Sequence, residues 1–369
     1  MRKFIPFIAF LLWASTIILA QQVSTFTGGT PDDAIALDTE GNIYCSNYVG
    51  NAVFKFTPSG QVSSFVTGLD TPNGIAFNSE GDLYVCDGQG NKVYVFDKDG
   101  NEKASYDNPG HPSGIIKSHD SETMIFTEYV GRSINTIAPD GTITEITSDP
   151  LLVGPVGLAY DDDNQLYVGN YTNRKIYKVA SDGSLTYVAT VGITSNLGFI
   201  AYANGSLWGT VLAEHKIYKI NPNAVDDVEV FAGTTGGLQD GLLSEAKFNQ
   251  PNGITFNSAG DTMFITDFGT KNLRIIDLEN VTSTSNLNER EDQFVVYPNP
   301  IADEFKVQLK GETHFPYDVE VYDSAGQSIY TTVLGSSEHI INSSSWIKGN
   351  YFIKVSSKGL TQTKKIIKK

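Results

Sequence analysis

The stretch "TPNGIAFNSEGDLYVCD" (Thr71–Asp87) is nearly rewritten downstream as "QPNGITFNSAGDTMFITD" (Gln250–Asp267). Both copies hold Pro-Asn-Gly, an apolar alternating run, a Gly-Asp turn and a second apolar run ending in Asp. Alignment on the glycine finds four more copies: "PDDAIALDTEGNIYCSN" from Pro31, "PSGIIKSHDSETMIFTE" from Pro112, "PVGLAYDDDNQLYVGN" from Pro155 and "NLGFIAYANGSLWGTV" from Asn196. The anchors Ala34, Gly74, Gly114, Gly157, Gly198 and Gly253 stand 40, 40, 43, 41 and 55 residues apart. A near-constant period marks stacked supersecondary units, each too small to bury its own apolar faces.

Each unit reads as four strands joined by turns. Gly, Asn and Asp at the first turn accept the positive φ of tight hairpins. Third strands follow as "NAVFKF", "NKVYVF", "RSINTI", "RKIYKV", "HKIYKI" and "KNLRII". Fourth strands are clear in five units and missing from the sixth. The spare N-terminal run "QVSTFT" closely resembles the fourth strand "QVSSFV". It is therefore expected to complete the last unit, close the ring and remove an open edge. The fold expected is all-β: a six-bladed β-propeller followed by a small C-terminal β-sandwich. The boundaries expected are a leader at 1–20, the propeller at 21–280, a linker at 281–294 and a C-terminal domain at 295–369.

The leader has Arg2 and Lys3, an apolar run and then Ala20, as an exported chain does. No later segment is apolar enough to span a membrane. Gln21–Val296 carries 35 acidic and 15 basic residues, and the tail from Tyr297 carries 7 acids and 9 lysines. So acidic a body repels phosphate backbones and argues against nucleic acid as partner. Export permits a disulfide, but Cys45 and Cys86 stand one position out of register in equivalent strands. Their side chains then either face each other across sheets about 10 Å apart, which is wide for a bridge, or point away from each other, and a bridge is not expected.

The residue before each anchor enters the innermost strand and crowds the axial mouth. In order these are Asp33, Asn73, Ser113, Val156, Leu197 and Asn252. Asn252, Asp33, Asn73 and Ser113 stand on four consecutive units, so one side of the ring is polar and the other apolar. That is the make-up of a small-ligand pocket, and these four are the candidate ligand-binding residues. One carboxylate and two amide oxygens also suit a hard cation, so Asp33, Asn73 and Asn252 are the candidate metal ligands and Ca²⁺ the candidate cofactor. A second set, Asn47, Asp87, Glu128, Asn170, Val211 and Asp267, ends the second strands and is expected to cap loops. Asp161–Gln165, "DDDNQ", aligns with the hairpin turns of other units and is expected to be one. Of the three propeller histidines, His111, His119 and His215, none shows a paired metal spacing. His111 is expected as a loop residue. There is no nucleophile elbow, phosphate loop or Cys-x-x-Cys.

"FAGTTGGLQDGLLSEAKFNQPNGITFNSAGDTMFITDFGTKNLRIID" resembles an NHL repeat of the gluconolactonase/regucalcin-like propellers. That resemblance implies metal ligands at the ring: one Glu, two Asn and one Asp. Asn73 and Asn252 match by type, and Asp33 stands for an acid. Val156 and Leu197 depart from the set. Tyr297-Pro298-Asn299-Pro300, Asp323 to Gly326, Gly349-Asn350-Tyr351-Phe352 and the lysine-rich end resemble the C-terminal sorting domain of type IX secretion in Bacteroidetes. This implies delivery to the outer surface or the medium. The function expected is a binding module for a protein, glycan or small ligand, rather than an enzyme. The alternative is a metal-dependent lactonase or esterase.

Overall fold

The computed structural model describes residues 21–28, 30–119, 122–194, 196–278, 294–309, 317–323, 327–357 and 360–369. The leader at 1–20 and the linker through residue 293 lie outside them. The chain divides into two compact units, Met1–Thr282 and Ser283–Lys369.

In the first unit the described strands form five four-stranded antiparallel sheets and one of five strands. The innermost strands are Ile35–Leu37, Pro72–Phe77, Pro112–Lys117, Pro155–Tyr160, Leu197–Ala203 and Pro251–Phe256. Each packs on the next, and Pro251–Phe256 packs back on Ile35–Leu37, so the inner strands make a closed ring. The N-terminal strand Gln22–Gly28 lies antiparallel to Asn272–Asp277, with Val23 opposite Ile276. It closes the last sheet, as its likeness to the fourth strands suggests. A short strand, Gly241–Leu242, pairs with its outer side and makes the fifth member. Sequence alignment does not foresee it, since a two-residue strand has no periodicity.

Burial follows position in each sheet. The second strand Leu83–Asp87 is buried at all five positions, while the outer strand Val62–Thr67 is mostly exposed. Inner strands have sheets on both faces and so lose the polar–apolar alternation. The layers between sheets are packed with apolar side chains. Tyr84, Cys86 and Val93 meet Ile115, Met124 and Phe126. Ile43, Cys45 and Phe56 meet Phe264 and Leu273. Cys45 and Cys86 thus occupy different layers, and both are free thiols. Each such side chain contributes about 1.5–3 kcal/mol when fully buried.

The anchor glycines have a steric cause. A Cβ on Gly114 would lie 1.7 Å from the carbonyl oxygen of Val156, and one on Gly253 would lie 2.0 Å from that of Asp33. The Gly114 N–H donates to Thr127 Oγ1 at 2.9 Å and the Gly253 N–H to Thr266 Oγ1 at 2.8 Å. Thr266 Oγ1 also donates to the Asp33 carbonyl, tying the last sheet to the first. Gly114→Ala must therefore push adjacent inner strands apart. It should cost about 1–3 kcal/mol, as overpacking does, read as a lower urea midpoint at unchanged slope.

The second unit holds a three-stranded sheet, Phe294–Tyr297, Glu304–Leu309 and Glu338–Asn342, and a four-stranded one. Phe305, Val307 and Ile341 of the first share one core with Val319, Val321, Ile353 and Val355 of the second. The final strand Leu360–Lys368 pairs along Gly349–Ser357. Among the described residues no helix is long and apolar enough to cross a membrane.

Candidate functional site

The inner strands begin at one end of the ring, where their first residues converge on a cavity of about 490 Å³. Asp33, Asn73, Ser113, Val156 and Asn252 all line it. Leu197 does not. It is fully buried in an apolar layer with Ile200 and Val211. Strand pairing explains the difference. Leu197 sits opposite Val211 as Pro251 sits opposite Asp267, and Ile200 opposite Gly209 as Ile254 opposite Ile265. Leu197 therefore holds the proline place. Gly198 keeps the anchor contacts: a Cβ on it would lie 2.5 Å from Thr210 Oγ1 and 2.7 Å from the Asn252 carbonyl, as those on Gly114 and Gly253 meet the next unit's carbonyls. Phe199, after the anchor, supplies the apolar wall in place of Leu197.

Asp33 is almost wholly buried at 2% exposure. Its Oδ1 accepts a hydrogen bond from Asn252 Nδ2 at 2.5 Å. Its Oδ2 has no partner, and neither has the buried Asn73 Oδ1. Burial, and then the neighbouring Asp32, hold the Asp33 carboxyl well above the usual carboxylate range. Asp32 is spent on the loop that follows the second strand. It accepts the Tyr48 N–H at 2.6 Å and Asn47 Nδ2 at 3.0 Å, and pairs with Lys271. Burial raises its carboxyl too, and Lys271 opposes the rise. Among the described residues no group of three or more His, Cys, Asp or Glu could hold a metal.

Two further sets of residues reach the cavity that the ring alignment misses. Tyr129, Tyr171, Leu212 and Phe268 follow directly on the second strand of a unit, Tyr48 one residue later, and the five form a collar. Gly88 stands at that place in the second unit, and the His111 ring fills the gap. A Cβ on Gly88 would lie 2.6 Å from His111 Nε2. The other set precedes the proline place: His111, Asn196 and Gln250. His111 and Gln250 have φ of 60° and 57°, a left-handed turn that aims the chain into the inner strand. His111, expected as a loop residue, thus also lines the mouth. Burial holds its imidazole below the ordinary value, which disfavours the charged form. His215 Nδ1 instead accepts the Gln250 N–H at 3.1 Å, and His119 packs edge-on against Tyr160.

The second-strand ends tie loops, as expected. Asp87 accepts the Asp70 N–H at 2.8 Å, Asn170 accepts the Val153 N–H at 3.1 Å, and Asp267 pairs with Arg274. Asp161–Gln165 is a turn in which Asp161 Oδ1 accepts the Gln165 N–H at 2.9 Å.

A closed ring of radially stacked antiparallel sheets with a mouth at one end is a β-propeller. The profile of the Virginiamycin B lyase family matches residues 16–232. That is more than half of the chain, and the protein belongs to this family. A secretion-system C-terminal sorting domain matches residues 295–369. This domain directs type IX secretion to the cell surface or extracellular space. No curated protein matches the chain. Among solved structures, a catalytically inactive histidine-to-alanine variant of virginiamycin B lyase from Staphylococcus aureus, with quinupristin, is 22% identical. The match covers 68% of this chain and 82% of that one, with a TM-score of 0.53. A gluconolactonase from Xanthomonas campestris is 18% identical over 70% of this chain and 89% of that one, at 0.56. An auxiliary nutrient binding protein from Bacteroides thetaiotaomicron is 16% identical over 69% and 76%, at 0.59. These likenesses establish the propeller fold.

Proposed function

We propose that this is an exported six-bladed propeller, residues 21–280, whose axial mouth binds a small ligand, with the tail at 295–369 a small β-sandwich. One observation carries the reading. A cavity of about 490 Å³ joins aromatic walls to two buried oxygens, Asp33 Oδ2 and Asn73 Oδ1, that have no partner among the described residues. Leaving a buried polar group unpaired costs about 1–3 kcal/mol, more for a charged group. A bound ligand removes that cost. Ser113 and Asn252 complete the polar side.

The same two oxygens favour a second reading, a cation such as Ca²⁺ held by Asp33 and Asn73. Asn252 meets Asp33 through its amide nitrogen and so offers no oxygen there. Two protein oxygens fall short of the six to eight that Ca²⁺ takes. Such a cation would polarise the carbonyl of a lactone or ester. Among the described residues the cavity lining holds one imidazole, that of His111.

Thermal melting of the mature chain with a panel of neutral sugars, organic acids, organic amines and, after chelation, Ca²⁺ tests both readings. A ligand at about 100 times its dissociation constant adds about 2.7 kcal/mol, a rise of several degrees. At least one class should stabilise the wild type, and less so Val156→Phe, which fills the mouth, or Asn73→Leu, which removes an acceptor. No rise with any class would sink the binding reading. A rise with Ca²⁺ that survives Asp33→Asn would sink the cation reading.

A further inference from the structure

Resting on the binding mouth proposed above, we infer that its ligand is an organic ammonium ion, with the charged nitrogen on Asp33 Oδ2 and Asn73 Oδ1 and the apolar body against the aromatic collar. The buried atoms of the mouth that lack a partner among the described residues are both oxygens. Both buried, unpartnered oxygens accept hydrogen bonds, and the amide nitrogen beside them, Asn252 Nδ2, is already committed to Asp33. The complementary group must be a donor, and an ammonium offers three N–H.

Charge points the same way. An anionic ligand would meet Asp33 and its neighbour Asp32, and the body around them carries 35 acids against 15 bases. That field draws cations toward the mouth. Lys271, the nearest cation, is occupied: it pairs with Asp32 and lies 4.3 Å from the centre of the Phe268 ring. Burial disfavours a charge on His111. Burial and Asp32 dispose Asp33 of the free protein to hold a proton, and an incoming ammonium favours the ionised carboxylate, in which both oxygens accept.

The collar separates an organic cation from a bare metal ion. Tyr48, Tyr129, Tyr171 and Phe268 give a metal few oxygens and no carboxylate, but aromatic faces attract organic cations and bury their carbon skeletons. The Tyr129 and Tyr171 rings stand edge to face with centroids 6.0 Å apart, so the wall is a packed surface and not a set of loose side chains.

The test is calorimetric titration of the mature full-length chain with three probes of one shape: phenethylamine, 2-phenylethanol and 3-phenylpropanoate. The amine should bind at least tenfold more tightly than the alcohol, and the acid should not bind. Asp33→Asn should bring the amine down to the level of the alcohol, with the fold checked by circular dichroism. If that variant does not fold, Asn73→Leu should weaken the amine selectively. Equal binding of amine and alcohol, tighter binding of the acid, or no binding of the amine overturns the ammonium assignment while leaving a ligand mouth in place. The mouth itself falls only if no class of compound stabilises the protein in the melting panel.

Discussion

A chain that begins at Gly29 instead of Gln21 should lose the cooperative thermal transition of its propeller unit. The removed strand, Gln22–Gly28, is remote in sequence from the sheet it completes. It pairs with Asn272–Asp277 on one side and Gly241–Leu242 on the other. Val23 is 1% exposed and packs in the core cluster with Ile276 and Phe248. Its burial alone stabilises by about 1.5–3 kcal/mol, and each ladder hydrogen bond adds about 0.5–1.5 kcal/mol. Several such bonds together rival the whole stability of an ordinary domain, about 5–15 kcal/mol. The loss also exposes Asn272–Asp277 as an open edge ready to pair with other chains. Scanning calorimetry should show the propeller transition gone or aggregation on expression, with the transition of the C-terminal unit retained. An unchanged propeller transition would show that the ring does not depend on this strand.

Arg274→Met should cost about 3–5 kcal/mol, the range for stranding one partner of a buried ion pair. The Arg274 side chain is fully buried. It donates to Asp267 Oδ2 at 3.1 Å, Asp240 Oδ1 at 2.8 Å, and the carbonyls of Lys247 and Gln239 at 2.9 and 3.1 Å. Its guanidinium lies over the Phe248 ring, 5.0 Å from the centroid. It thereby holds the segment that makes the last repeat longer than the others. Asp240 also accepts the Thr25 N–H and hydroxyl, so the same carboxylate grips the N-terminal strand. The two perturbations share a network and should not be additive.

The pH dependence of that loss has a definite sign. Burial pushes the Asp267 carboxyl up to about 6, with Arg274 opposing the rise. Folding then takes up a proton between the usual carboxylate range and about 6, and this contribution to stability is lost as pH rises through about 6. Without Arg274 the folded pKa climbs further, and the stability lost extends to higher pH. The gap between wild type and Arg274→Met in urea unfolding should therefore be wider at pH 7.5 than at pH 5. A loss under about 1 kcal/mol, or a gap that narrows with pH, would contradict a charge-paired Asp267.

Much of the propeller was legible because its cause is local. A strand–turn–strand pattern repeats along the chain, and the anchor glycine is required wherever an inner strand presses on the carbonyl of the next. Gly114 and Gly253 show that contact directly. Asp33, Asn73, Ser113 and Asn252 could be named as mouth residues because their place in the repeat sets their place on the axis. The fifth unit broke the rule. It has no proline: Gly198 keeps the anchor contacts, but Leu197 pairs with Val211 as the prolines pair elsewhere, and Phe199 turns to the cavity instead. One misplaced residue moved Leu197 from the core to the mouth on paper.

The sequence by itself determined the repeated four-stranded pattern, the use of the first strand to finish the last sheet, and the sorting tail. These follow from short-range periodicity and from strands that resemble one another. Only the tertiary structure decided what the mouth presents. The collar of Tyr48, Tyr129, Tyr171 and Phe268 comes from loops that read as ordinary exposed turns, and His111 reaches the cavity because Gly88, on the preceding strand pair, leaves room for its ring. The two unpartnered oxygens were likewise invisible in the chain. Whether a buried polar atom finds a partner depends on contacts between units far apart in sequence, and Asn252 donates to Asp33 across 219 positions.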